Sequence, residues 1–270
     1  MGTKVIYHGN CMDGFTAAWV CWRWFGSDDV EYIAARYPAD GRDTDLPDLA
    51  GHDIYMVDFS TSLKQLLDIK ARAKSLIVLD HHRSAEETCR GLDFCYFDMN
   101  QSGAGLAWRH FRGMTDPPWI VSYVEDRDLW RWALPGSRAI NAYLGAIKKD
   151  FEGWNRVQIG GREVAESRGE AILLQMDSYI RSVGKNHRRM RFAGYDDIPV
   201  VNTPHMISAL VGHLARDATF AVGWFQDSNG MYVYSLRSRG NLDVSEVAKR
   251  FGGGGHAGAA GFTASKPVHE

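Results

Sequence analysis

Three short runs in the first third of the chain are apolar throughout: Val5-Ile6-Tyr7, Ile54-Tyr55-Met56-Val57 and Leu76-Ile77-Val78-Leu79. Each passes directly into polar residues. Continuous rather than alternating hydrophobicity over about four residues predicts strands covered on both faces, as in a parallel sheet. Helical stretches lie near them. Residues 15–25 are rich in Ala and Trp, and 62–73 place Leu63, Leu66, Leu67 and Ile69 at helical spacing. Strand and helix in alternation predict an α/β fold with right-handed crossovers.

Further on, Ser102 to Phe111 reads as a helix entered through Gly103-Ala104-Gly105, and Trp119 to Trp132 as another, holding the acidic group Glu125-Asp126-Arg127-Asp128. From about 150 to 191 the chain is polar and reads as helical. Strand character returns at Ile198-Pro199-Val200-Val201-Asn202, 219–224 and 231–236, with Asp227-Ser228-Asn229-Gly230 as a hairpin turn. A short helix over 244–251 has Asp243 as its N-cap and leads into Gly252-Gly253-Gly254-Gly255-His256. These elements predict an N-terminal parallel-sheet domain (1–148), a helical connector (149–195) and a smaller α/β C-terminal domain with a mixed sheet (196–270). Trp19, Trp22 and Trp24, like Trp130 and Trp132, lie near helices, where packed faces are expected rather than base stacking.

Composition narrows the function. Of 270 residues, 45% are hydrophobic, enough for a sizeable core. The net charge of −2 argues against a duplex-DNA binder, which would carry a basic excess. Cys11, Cys21, Cys89 and Cys95 show no CxxC spacing, which disfavours a disulfide scaffold or structural zinc. The start of the chain has no signal-peptide pattern, and no run reaches the ~18 apolar residues of a membrane span. A soluble, reducing, cytoplasmic setting without a membrane partner is the expectation.

The chemistry gathers at strand ends. The three apolar runs end in His8, in Asp58 and in Asp80-His81-His82. Ligands in open α/β sheets bind outside the carboxyl ends of the strands, so three segments aim polar groups at one edge. Imidazole with carboxylate suits a divalent metal. Side chains alternate along a strand, so not all of 80–82 can face one ion, and Asp80 is expected behind the two histidines. His8-Gly9-Asn10-Cys11-Met12-Asp13-Gly14 adds a further carboxylate, although Asp13 also reads as a helix N-cap and Asp58 as a strand-end cap. Together these residues supply what a two-metal site needs to clamp a phosphoester, with ions about 3.5–4 Å apart.

In this order, His8…Asp13-Gly14, Val57-Asp58, Asp80-His81-His82 and Asp126/Asp128 resemble the motifs of the DHH phosphoesterase superfamily. Gly252 to Gly261 is similar to the signature of its associated C-terminal domain. The resemblance implies that His8 binds a first metal and that Asp58 bridges two. Asp13, His81 and one residue of the acidic group would complete the second, with Asp126 favoured and Asp128 as the alternative. His82 would face the phosphate. It implies two manganese ions, with Mg²⁺ or Co²⁺ as substitutes, and suggests a homodimer. One departure is Cys11, where family members commonly carry an Asp two residues before the DG pair. A Cys11 thiolate would make the first site softer; the alternative is a buried thiol and a site completed by water. Gly253, Gly254, Gly255 and His256 would bind substrate through an anion nest, with Arg237 and Ser238 on the preceding strand end. The substrate expected is a short nucleotide: a linear or cyclic dinucleotide or nano-RNA. A RecJ-like single-strand exonuclease and an exopolyphosphatase or pyrophosphatase are the alternatives.

Overall fold

A computed structural model describes residues 2–268 apart from Asn10, Ser27, 38–42, Met206 and Asn241. The chain divides into two compact units, 1–172 and 173–270. The first contains β1 (Thr3–His8), α1 (Met12–Phe25), β2 (Val30–Ala35), β3 (Asp53–Val57), α2 (Leu63–Arg72), β4 (Ser75–Asp80), α3 (Glu86–Cys89), β5 (Cys95–Phe97), α4 (Gly103–Arg112), α5 (Trp119–Asp128), α6 (Ser137–Ala146) and α7 (Phe151–Gly160). Helix α8 (Arg162–Gly184) runs across the boundary. The second unit adds β6 (Arg188–Phe192), β7 (Tyr195–Asn202), α9 (Ile207–Leu214), β8 (Ala221–Gln226), β9 (Tyr232–Arg237), α10 (Val244–Lys249), β10 (Gly254–His256) and β11 (Ala259–Ala264).

The first unit is built on a five-stranded sheet in the order β2-β1-β3-β4-β5, with every pair parallel. The expected strands β1, β3 and β4 are its three central ones. They carry fully buried Val5, Ile6, Ile54, Met56, Leu76 and Val78 because helices cover both sheet faces. One face packs against α1, α4 and α5 through Val5, Trp19, Val57, Leu79, Ala104 and Val124. The other packs on α2 through Ile6, Ile54, Met56, Leu66 and Ile69. Helix α2 starts where the Ser62 side chain accepts from the Gln65 N–H, and α4 where Ser102 accepts from Gly105.

The second unit has a mixed six-stranded sheet, β10-β11-β9-β8-β7-β6, in which only β7 and β8 run parallel. Helix α10 buries Val244, Val247 and Ala248 with Tyr234, Leu236 and Phe262, and Asp243 caps it by accepting from the Ser245 N–H.

Three readings change. Residues 188–192 form edge strand β6 rather than helix, paired antiparallel with β7. The stretch expected as a connector is shared, with α7 and the start of α8 in the first unit and the remainder in the second. Trp19 is buried as expected of packed aromatics, but Trp24 and Trp130 are not, and Trp130 is 77% exposed. Among the described residues no helix is long and apolar enough to cross a membrane.

Candidate metal centre

Register places the candidate groups level with one another. Tyr7 pairs with Val57 and Val57 with Leu79, so His8, Asp58 and Asp80 leave neighbouring parallel strands at the same height. Asp58 turns sharply, with φ +54°, a left-handed conformation uncommon outside glycine. Its N–H donates to the Leu79 carbonyl at 2.8 Å. Two glycines let helices approach this turn. A Cβ on Gly103 would collide with the Asp58 side chain, and one on Gly14 would lie 2.5 Å from the His8 carbonyl oxygen and 3.0 Å from Asp58 Oδ2.

Asp13 is not the cap of α1. Cys11 holds that position and makes no side-chain cap. The fully buried Asp13 carboxylate instead accepts from the N–H groups of Gly103 (2.5 Å) and Ala104 (3.0 Å), two free donors in the first turn of α4. An N-terminal carboxylate is thereby locked to a helix ninety residues on.

His81 sits among three carboxylates. Its Nε2 lies 3.0 Å from Asp58 Oδ1, 3.5 Å from Asp13 Oδ2 and 3.5 Å from Asp128 Oδ2. His8 Nδ1 lies 3.8 Å from the other oxygen of Asp58, Oδ2. The ligand-type atoms form two groups, His8-Asp58-His82 and Asp13-His81-Asp128, each within 4.8 Å. Asp58 thus turns Oδ2 to His8 and Oδ1 to His81, with Oδ1 also 3.9 Å from His82 Nδ1. The residues fit divalent ions on a further ground. His8 Nδ1 and Asp58 Oδ2 are buried without any hydrogen-bond partner in the protein, a costly state that a bound cation would relieve.

Charge accumulates here. Burial, reinforced by Asp80 and Asp128, pushes the Asp58 carboxyl up to about 7 against an opposing pull from His82. Burial beside Asp58 and Asp128 raises Asp13 strongly. Asp80 behaves differently. Its burial works upward, but the contact from His82 outweighs it and holds the carboxyl below its usual range. Asp80 Oδ1 accepts from the His81 N–H (2.7 Å) and the His82 N–H (3.1 Å), and lies 2.7 Å from His82 Nδ1. That contact raises His82 to about 9. Burial and the neighbouring His82 lower His8, which favours the neutral, ligating imidazole.

Of the acidic group, Asp128 is the residue that stands with Asp13 and His81. Asp126 was the favoured ligand, yet its carboxylate points the other way and accepts from the N–H groups of Ala133 (2.9 Å) and Leu134 (3.3 Å). Residues two apart on a helix face about 200° from each other, so only one could join the group. Cys11 lies outside both groups, and burial with Asp58 and Asp13 pushes its thiol up to about 12, away from a ligating thiolate. Two neighbours escaped sequence reasoning. The Tyr37 ring packs 5.4 Å from His8 and 6.3 Å from His82, its hydroxyl accepting from the Ser60 N–H. Lys149 Nζ reaches the Cys11 carbonyl at 3.4 Å. Neither stands in a motif, and only the fold brings them in.

In the second unit the expected substrate residues are differently placed. The N–H groups of Gly252 and Gly253 donate to Lys249 and Ala248 at the end of α10, so those two do not form an anion nest. A Cβ on Gly253 would strike the Gly261 carbonyl and Phe262. Gly254, Gly255 and His256 form exposed edge strand β10. The Ser238 hydroxyl lies 2.6 Å from the Leu242 carbonyl oxygen and 3.2 Å from that of Ala257, which ties down the 238–258 loops. Arg237 donates to Ser208 Oγ at 2.6 Å and to the Leu236 carbonyl at 2.8 Å, and burial lowers its pKa. Arg239 is exposed.

Comparison with known proteins agrees with this architecture. Residues 198–269 match the DHHA1 domain. The uncharacterized protein R106 of Acanthamoeba polyphaga mimivirus is 27% identical over 293 residues, an alignment spanning 97% of this chain and 67% of that protein. A pGpG-specific phosphodiesterase, PggH from Vibrio cholerae, shares the fold at 14% identity, with a TM-score of 0.58 over 97% of this chain and 93% of that one. So does an exopolyphosphatase-related protein from Bacteroides fragilis, at 15% identity and a TM-score of 0.54, covering 98% and 87% of the two chains. The DHHA1 match covers the sheet-bearing part of the second unit, and the two solved structures share the fold of the chain.

Proposed function

We propose that the protein hydrolyses phosphodiester bonds of short nucleotides, linear or cyclic dinucleotides or nano-RNA, with two divalent ions, manganese by preference. The observation that carries this reading is Asp58. It directs one carboxylate oxygen toward His8 and the other toward His81, and the former is buried without a partner. A carboxylate so placed suits a bridge between two cations.

In this reading His8 and Asp58 hold one ion, and Asp58, Asp13, His81 and Asp128 hold the other. Bound ions would supply Lewis acidity and lower the pKa of water, the general basis of two-metal hydrolysis. The remaining work falls to the chain itself. The three contacts that Asp80 Oδ1 receives fix the His82 ring and keep it protonated near neutral pH. Its Nε2, the nitrogen not engaged by Asp80, is then an N–H donor suited to a phosphate oxygen rather than to a cation. Asp13, clamped to α4, keeps its carboxylate fixed through the reaction. Taken by itself, the second unit offers Arg237, His256 and the outward backbone of β10 as groups suited to phosphate.

Turnover of pApA, cyclic di-AMP and pyrophosphate with Mn²⁺, followed by chromatography and phosphate release, tests the reading. Dinucleotide hydrolysis is expected, with a loss of about a thousandfold or more in Asp58→Ala and His81→Ala, since each removes a group on which bound metal depends. Hydrolysis of pyrophosphate alone would favour a pyrophosphatase. Unchanged turnover in both variants would rule out the two-metal mechanism.

A further inference from the structure

Immediately beyond Asp128 the chain displays a tryptophan. Trp130 has φ +56° and Trp132 φ +51°, left-handed conformations that bulky side chains rarely adopt. Such strain persists only where surrounding contacts hold it, and here they do. The Asp126 carbonyl accepts from the N–H groups of Arg131 (2.9 Å) and Trp132 (3.3 Å), while its carboxylate takes those of Ala133 (2.9 Å) and Leu134 (3.3 Å). Trp130 N–H donates to Arg127 at 3.0 Å. The Arg131 side chain is tied to the Asn100 carbonyl at 2.6 Å and to Glu125 at 3.3 Å. Trp132 stands edge-on to Trp130 at 5.4 Å, with the Arg138 guanidinium 5.8 Å from the Trp132 ring.

The loop is therefore pinned by backbone, carboxylate and guanidinium contacts, yet it leaves the Trp130 ring 77% exposed. Burial does not explain this, because a large apolar ring in water forgoes the burial that ordinarily places tryptophan. A displayed indole on a pinned loop, two residues from the candidate ligand Asp128, is suited to a flat aromatic partner. We propose that the 129–134 loop forms a nucleobase subsite, in which Trp130 stacks on the base of the nucleotide whose phosphate occupies the metal centre. Asp126, in this account, is a positioning residue that props up the loop rather than a metal ligand. The subsite rests on the nucleotide reading above. It adds that the enzyme selects base-bearing substrates through stacking, which is tolerant of base identity because every base offers a π face.

The test compares pApA with an abasic dinucleotide of the same phosphate framework, using Mn²⁺-loaded wild type, Trp130→Ala and Trp130→Phe. Because Trp130 is exposed, both variants are expected to fold. The discrimination between the two substrates, as a ratio of kcat/KM, should fall about five- to hundredfold in Trp130→Ala and be largely retained in Trp130→Phe. The loss on pApA should appear in KM. Equal losses on both substrates, or none, would overturn the subsite. If wild type cleaved neither dinucleotide, the phosphodiesterase reading would fail separately. Quenching of tryptophan fluorescence by AMP would then decide the subsite: quenching lost in Trp130→Phe supports it, and quenching that is absent or unchanged refutes it.

Discussion

The two units treat their polar groups in opposite ways. Among the described residues, every buried side-chain N or O atom without a hydrogen-bond partner belongs to the first unit, and His8 Nδ1 and Asp58 Oδ2 are two of them at a single strand edge. In the second unit two of the groups expected to meet substrate are spent on the fold: Gly253 donates to the end of α10, and Ser238 ties two loops. Unpaired buried groups are costly and are kept where something else completes them. The contrast is what the proposed chemistry in the first unit requires, since His8 and Asp58 are both among its candidate metal ligands; in the second unit His256 is exposed and Arg237 half-buried.

The sharpest way to break this contrast lies within one motif. Asp128→Asn removes a proposed ligand and should lower Mn²⁺ affinity about 10–100-fold by calorimetric titration. Asp126→Asn should leave that affinity within about threefold and instead lower stability by about 1–2 kcal/mol, through weaker bonds to Ala133 and Leu134. The reverse pattern would return Asp126 to the ligand set.

Proton binding gives a second test. In metal-free protein, Asp58 is raised to about 7, so the folded state holds a proton that the unfolded chain releases above ~4. Stability from this group is therefore lost as pH rises from about 4 to 7. His82, raised to about 9, contributes stability fully below ~6.5, and that contribution fades as pH climbs through 9. Both effects have the same sign, the raised Asp13 adds to them, and the lowered His8 opposes them only up to ~6.5. Denaturant midpoints of metal-free protein should decline from pH 5 to 9, and Asp58→Asn should remove the lower part of the decline and be more stable than wild type at pH 8. A midpoint that rises across this range would contradict the buried charge described here.

The smallest effects separate contact from scaffold in the second unit. His256→Ala should raise KM about tenfold or less with kcat little changed, as expected for an exposed phosphate contact. Ser238→Ala should cost about 1 kcal/mol of stability and leave KM alone. If Ser238→Ala shifts KM instead, the division between the two roles is wrong.

The central strands were legible in the sequence because burial on both faces writes an unbroken apolar run, and their ends gave His8, Asp58 and 80–82. Edge strands were not. Val30–Ala35 is mostly half-exposed, Cys95–Phe97 has three residues, and the charges of Arg188–Phe192 mimic a helical surface. The choice between Asp126 and Asp128 lay beyond local pattern, since it depends on which carboxylate the 131–134 backbone claims. Asp13 reads in the sequence as a ligand or a local cap, but its hydrogen-bond partners, Gly103 and Ala104, are some ninety residues away. The glycine run is visible in the sequence but its local role is not: Gly253 is required by the close approach of β11, and its N–H is not free. Trp130 illustrates the same limit, since spacing near a helix predicts packing and only the left-handed turn shows display.

The most direct measurement of the central claim is anomalous diffraction from crystals grown with Mn²⁺ alone. Two peaks are predicted about 3.5–4 Å apart, one against His8 and Asp58, the other against Asp13, His81 and Asp128, with the Asp58 carboxylate between them. A single peak, or two that leave Asp58 uncoordinated, would contradict the account.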